Sequence, residues 1–196
     1  ENADFVDVWH QVITYENYCI KMSKLHKSNF SVFDGIGIRV IKTNNMGFSS
    51  TTVLTEGGIK KCVNQAIAMA KAHGESNQYK LKMVPIIKDR EKISTPQNPF
   101  DVPPEEKITF CKDLESRIQA TPKIYESEVI LAFEEKAQRY KSNEGTDIIS
   151  NKYTTKLNYY GIIKHNNNYY RLERTFGSSD GYELYNQDDM FAHVEE

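Results

Sequence analysis

The sequence predicts an α+β fold of two small domains, each an antiparallel sheet with a helix packed on it. Three observations lead there. Apolar and polar residues alternate with period two between turn signals at Thr43-Asn44-Asn45, Ser142-Asn-Glu-Gly145 and Asn166-Asn-Asn168, as hairpins require. Two other stretches repeat apolar residues at separations of three and four, the helical spacing. Between those stretches, Ser94-Thr-Pro-Gln-Asn-Pro99 and Pro103-Pro104 oppose regular structure, which marks a linker and divides residues 1–90 from residues 91–196.

Taken in order, Asp4 to Leu25 reads as strand, turn, strand. Phe5, Trp9 and Ile13 mark one face of the first strand and Val6, Val8 and Val12 the other, with a turn expected at Glu16-Asn17 and a partner strand carrying Tyr18, Ile20 and Met22. Next, Ile36, Ile38 and Val40 alternate with Gly35, Gly37 and Arg39 in a half-buried strand with glycines where a neighbour must come close. Gly35-Ile-Gly37 is not a phosphate loop, because no helix opens behind it; Thr43-Asn44-Asn45 leads instead into a strand from Met46 to Thr52. The expected sum is a four-stranded antiparallel meander.

A helix is predicted from Thr55, whose hydroxyl can cap it, to Gly74, a left-handed carboxyl cap. Ile59, Cys62, Val63, Ala66, Ile67 and Ala70 form its apolar stripe, and full burial of Ile67 would make Ile67→Ala cost about 2–5 kcal/mol. After polar Glu75-Ser-Asn-Gln78 comes a short strand within Lys80 to Ile87. The second domain opens with a helix from Pro104, preceded or capped by Asp101, with Glu105 and Glu106 complementing its dipole and Ile108, Cys111, Leu114 and Ile118 on its buried line. Tyr125, Val129, Leu131 and Phe133 then alternate with Glu126, Glu128, Ile130 and Glu134. A strand from Lys156 to His165 follows, and a last one in which Tyr170, Leu172 and Phe176 oppose Arg171, Glu173 and Thr175. Asn186 to Glu196 is read as the start of a helix.

Composition bounds the function. Of 196 residues, 39% are hydrophobic and 27% charged, an ordinary globular balance. The net charge of −2, with no basic stripe, gives no support for nucleic-acid binding. The three cysteines, Cys19, Cys62 and Cys111, are far apart, which argues against a disulfide framework and for a reducing compartment. No apolar run is long enough to cross a membrane as a helix, and Asp4 and Asp7 interrupt any signal-like start, so a cytoplasmic location is expected.

Candidate chemistry is sparse. His10, His26, His73, His165 and His193 stand singly, with no second ligand one helical turn away, so no metal or catalytic residue is assigned. Arg39 could hold a substrate carboxylate, although a solvated or ion-paired strand arginine is the commoner case. Tyr153, Tyr159, Tyr160, Tyr169 and Tyr170 could stack on bases, but tyrosine favours strands and no positive charge accompanies them. Glu126, Glu128, Glu134 and Glu135 read as a wet sheet face. Cys62 and Cys111 fall on apolar helix lines as inert thiols. Asn29-Phe-Ser31 matches a glycosylation acceptor that carries no meaning in a cytoplasmic chain.

Gly35-Ile-Gly-Ile-Arg-Val40, a polar turn, Met46-Gly-Phe-Ser-Ser-Thr51 and a helix carrying Cys62-Val-Asn-Gln-Ala-Ile-Ala-Met-Ala-Lys71 resemble the amino-terminal region of the TldD/PmbA family. Asn98-Pro-Phe-Asp101, Tyr140-Lys-Ser-Asn-Glu-Gly-Thr146 and Gly181-Tyr-Glu-Leu184 extend the likeness less specifically. The resemblance implies a zinc metallopeptidase, also called a modulator of DNA gyrase, in which a histidine and glutamate motif of the second half binds zinc and activates water. It implies a peptide substrate and a homo- or hetero-dimer with a family member. No cofactor or zinc is expected in this chain, which would be inactive alone and would shape the substrate cleft or the dimer interface. The alternative is a stand-alone protein-protein interaction module without enzymatic activity.

Overall fold

Hairpin turns set the frame. Thr43 and Asn44 have φ of 49° and 61°, and Asn166 and Asn167 have 47° and 65°, so both predicted turns are two-residue turns of the mirror type that matches strand twist. The computed structural model describes residues 3–72, 85–92 and 95–185. Its strands are β1 (Phe5–Lys21), β2 (Lys24–Lys42), β3 (Asn45–Thr51), β4 (Lys88–Lys92), β5 (Ile124–Ser142), β6 (Asp147–His165) and β7 (Asn168–Ser178). Its helices are α1 (Glu56–Ala72) and α2 (Pro104–Ala120), with 3-10 turns at Pro99–Asp101 and Tyr182–Tyr185. The described residues are thus mostly antiparallel sheet with two α-helices. Strand order is β3-β2-β1-β5-β6-β4, with β7 also paired to β6.

The chain forms two compact units. One comprises Glu1–Ile13, Val32–Ile93 and Lys136–Asn151; the other comprises Thr14–Ser31, Ser94–Glu135 and Lys152–Glu196. In the first, α1 buries Cys62, Ala66 and Ala70 against Ile38 and Val40, with Val6, Val8 and Ile36 around them. In the second, α2 buries Phe110, Cys111, Leu114 and Ile118 against Val129, Leu131, Phe133, Leu157, Tyr18 and Ile20.

Several expectations are corrected. No turn forms at Glu16-Asn17; β1 runs through both residues, and they are buried. The Glu16 carboxylate is satisfied there by Lys107 Nζ at 2.6 Å and by the Tyr18 hydroxyl. The reversal comes at Met22 and Ser23, both at positive φ, so the amino-terminal meander has three strands and not four. Ser23 donates its amide to Glu115 Oε2 at 3.0 Å, which anchors that turn.

Residues 80–84 of the strand expected at Lys80 to Ile87 lie outside the described residues, and 85–87 are not in a strand. β4 follows at Lys88 and runs parallel to β6, pairing Lys88 with Asp147. Its Lys-Asp-Arg-Glu-Lys sequence has no apolar period to announce it. Gly74 and residues 186–196 also lie outside the described residues. Asp101 precedes α2, whose N-cap is Pro103, while Asn98 caps the preceding 3-10 turn by accepting the Phe100 amide at 3.0 Å. The two-sided division expected in the last strand holds only at Phe176, which packs on the second core. Tyr170 and Leu172 are exposed along with Arg171 and Glu173.

Candidate functional site

The glycine strand divides the first unit into two unlike faces. Ile36, Ile38 and Val40 of β2, with Val6 and Val8 of β1, point into the core under α1. The opposite parity carries Phe5, Asp7, Trp9 and Gln11 on β1 and Phe33, Gly35, Gly37 and Arg39 on β2. Across the hairpin, Gly37 pairs with Ser50 and Arg39 with Phe48.

α1 comes close because β3 carries Gly47. A Cβ there would lie 1.9 Å from the Ala66 carbonyl oxygen and 2.5 Å from the Ala70 nitrogen. Thr55 caps α1 as predicted, its hydroxyl accepting the Gly58 amide at 3.2 Å. Ile67 is only half-buried, since the small residues Cys62, Ala66 and Ala70 take the contact line.

On the open face, Arg39 is an anchored side chain. Its Nε donates to Asp7 Oδ1 at 3.1 Å and its Nη2 to Asp7 Oδ2, a bidentate pair with a fully buried carboxylate. The guanidinium lies 4.8 Å from the centre of the Trp9 ring, and Tyr140 donates its hydroxyl to Asp7 Oδ2 at 3.0 Å. Burial, and then the Asp7 carboxylate, raise the Tyr140 pKa. Of the two commoner readings of Arg39, solvated or ion-paired, the structure shows the ion pair.

Beside this cluster is an open groove of about 740 Å³, whose lining includes Trp9, Gln11, Phe33, Gly35, Gly37 and Phe48 together with Ser50, Thr51 and Thr52. Rings fill the space the glycines leave. A Cβ at Gly37 would lie 3.0 Å from Phe48 Cζ, and one at Gly35 would lie 3.3 Å from Phe33 Cε1.

None of the remaining singled-out residues lines this groove. Tyr153, Tyr159 and Tyr160 are buried; Tyr153 donates to Glu135 and Tyr160 to Glu126, while Tyr159 stacks on Phe176. Tyr169 is exposed and meets Tyr125 edge-on. Glu126 is paired with Lys21 at 2.7 Å, which holds its carboxyl below the usual range. Cys19, Cys62 and Cys111 are buried; burial pushes the Cys19 thiol up to about 11 and the Cys111 thiol up as well.

His10 pairs with Asp34 at 2.8 Å, and His165 meets Asn166. Among the described residues no group of three or more His, Cys, Asp or Glu side chains could hold a metal ion. No helix among them is long and apolar enough to cross a membrane.

Sequence reasoning missed Asp7, noting it only as a charge near the start, and it missed the ring pair Phe33 and Phe48. The available signal was parity. Phe33, Gly35, Gly37 and Arg39 share one face of β2, and Asp7 and Trp9 share the matching face of β1.

Residues 6–70 match the model of the PmbA/TldA metallopeptidase domain 1. A metalloprotease of Methanocaldococcus jannaschii is 29% identical over 115 residues, covering 58% of this chain and 26% of that protein. TldE from Thermococcus kodakarensis superposes with a TM-score of 0.72 at 15% identity, over 98% of this chain and 43% of that one. A candidate modulator of DNA gyrase from Bacteroides thetaiotaomicron gives 0.79 at 11% identity, over 91% and 41%. The chain thus spans about a quarter of the curated relative and about two fifths of the solved structures.

Proposed function

The amino-terminal region of this chain is of the TldD/PmbA family, and from that premise we propose that the chain is the non-catalytic amino-terminal part of a zinc metallopeptidase. The observation that carries the reading is the first-domain match over residues 6–70 in a chain that spans only part of its relatives. Zinc belongs on this reading to the carboxyl-terminal half of the family, where it would activate water against a peptide carbonyl. The described side chains offer no ligand set for it, so no catalytic step is assigned to them.

What they supply is shape. Each core is read as one small α+β domain, and the open face of the glycine strand, kept rigid by the Asp7–Arg39 pair, borders the substrate cleft or the interface of a dimer with a family member. The compartment is the cytoplasm, in keeping with three buried free thiols.

Metal analysis tests this. The purified chain, dialysed after exposure to zinc, is expected to retain no stoichiometric metal and to hydrolyse no peptide; retention of about half an equivalent or more would overturn the reading. One observation favours the second reading, an interaction module without enzymatic activity: β7 is an exposed edge that pairs only with β6 among the described residues. On that reading, the chain would capture partner proteins while a zinc-loaded family member cleaved peptides equally well with or without it.

A further inference from the structure

We infer that the polar groove between β4 and the β5–β6 turn binds a small multivalent oxyanion of the phosphate class. The side chains concerned all belong to the first unit, and the function proposed above makes no use of them.

The groove holds about 690 Å³, within the range of ligand sites, and its lining includes Lys88, Arg90, Lys141, Thr146, Asp147 and Ile149. Strand parity gathers the charges. Lys88 and Arg90 stand two apart on β4, opposite Asp147 and Ile149 of the parallel strand β6, so all four share one face. Lys141 of β5 reaches the same Asp147 at 3.3 Å, so three adjacent strands contribute to that face. The sequence shows no basic stripe because distant segments supply these cations.

Charge selects the ligand. The Asp147 carboxylate is already held by Arg139, which donates from Nε to Oδ1 at 3.1 Å and from Nη2 to Oδ2 at 2.9 Å. Asp89 has the opposite parity on β4, and its Oδ1 accepts the Arg90 amide at 2.7 Å. Lys88 and Arg90 are exposed, and neither forms an ion pair with another described residue. The Thr146 hydroxyl accepts the Ile87 amide at 3.5 Å and keeps its own proton to donate.

Spacing selects its valence. Lys88 and Arg90 are about 7 Å apart along β4, and Lys141 is about 10 Å away across β6, as strand geometry dictates. Long side chains from such positions can converge on an ion that presents several charged oxygens. A single carboxylate would engage one exposed cation at a time, a contact that contributes little.

The test is an amide NMR titration of the chain with inorganic pyrophosphate at constant ionic strength. Saturable shifts of the Lys88, Arg90, Gly145 and Thr146 amides are expected, and acetate should give none. Lys88→Gln and Arg90→Gln, both at exposed sites and with unchanged thermal midpoints, should each weaken binding at least about tenfold. Lys112→Gln, an exposed charge on α2, should leave it unchanged. Asp147→Asn releases Arg139 and Lys141 from their carboxylate and should tighten binding, a gain that damage to the fold would not produce. A phosphoserine peptide run alongside separates a free ion from a phosphorylated chain, and the free ion is expected to bind more tightly.

The inference is overturned if pyrophosphate gives no saturable shift, or if acetate moves the same amides equally. It is overturned equally if Lys88→Gln and Arg90→Gln bind like the native chain, if Lys112→Gln weakens binding as much as they do, if Asp147→Asn binds no tighter, or if the phosphoserine peptide binds more tightly than the ion.

Discussion

At the scale of the residue, the glycines that stand out in the sequence are not the ones under the greatest constraint. Gly37 faces the Phe48 ring, which can shift, and a Cβ on Gly35 would meet the Phe33 ring and the Thr51 carbonyl oxygen only at 3.3 Å, whereas one on Gly47 would meet helix backbone at 1.9 Å. Gly47→Ala must therefore push β3 from α1, an overpacking expected to cost about 1–3 kcal/mol, read as a lower denaturation midpoint in urea at unchanged m-value. Asp147 gives a second prediction. Its hydrogen bond with Arg139, and then Lys141, lower its pKa to about 2. A depressed carboxylate pKa stabilises the fold above the unfolded value, near 3.9, and that contribution disappears as pH falls through about 2. A carboxyl titration followed by NMR should place Asp147 near 2. The stability gap between the native chain and Asp147→Asn should close between about pH 4 and pH 2; a gap constant over that window would refute the assignment.

At the scale of the element, α2 shows how a helix can bury charge. Lys107 and Glu115 are at most 1% exposed on a face otherwise made of Phe110, Cys111, Leu114 and Ile118. Lys107 reaches Glu16 at 2.6 Å and lies 5.3 Å from the centre of the Phe133 ring, and Glu115 accepts from Ser23 and Ser127. Lys107→Met should cost about 3–5 kcal/mol, because Glu16 would stay buried without its cation. The double variant Glu16→Gln, Lys107→Met should recover part of that loss in a denaturation cycle, and strictly additive losses would show the pair to be uncoupled. α1 makes the contrasting case. Its contact line is Cys62, Ala66 and Ala70, so Ile67→Ala falls below the loss expected from full burial.

At the scale of the whole molecule, two cores form from interleaved stretches, and β1, β2, β5 and β6 each give residues to both units. Composition suggests a boundary near residue 90, and the units draw on residues from both sides of it. What the sequence by itself determined is whatever depends on near neighbours. It carried the two helices, with their spacing and the Thr55 cap, the turns at Thr43-Asn44 and Asn166-Asn167, and the alternation of Ile36, Ile38 and Val40. It also carried the family likeness that residues 6–70 bear out. The tertiary structure alone decided what depends on distant partners. Glu16-Asn17 reads as a turn until Lys107, 91 positions away, satisfies the carboxylate. Lys88 to Lys92 has no strand signal until β6 offers its edge, and Asp7 is a stray charge until Arg39, 32 positions on, closes over it. A polar group can be buried only where its partner is, and local sequence does not record that position.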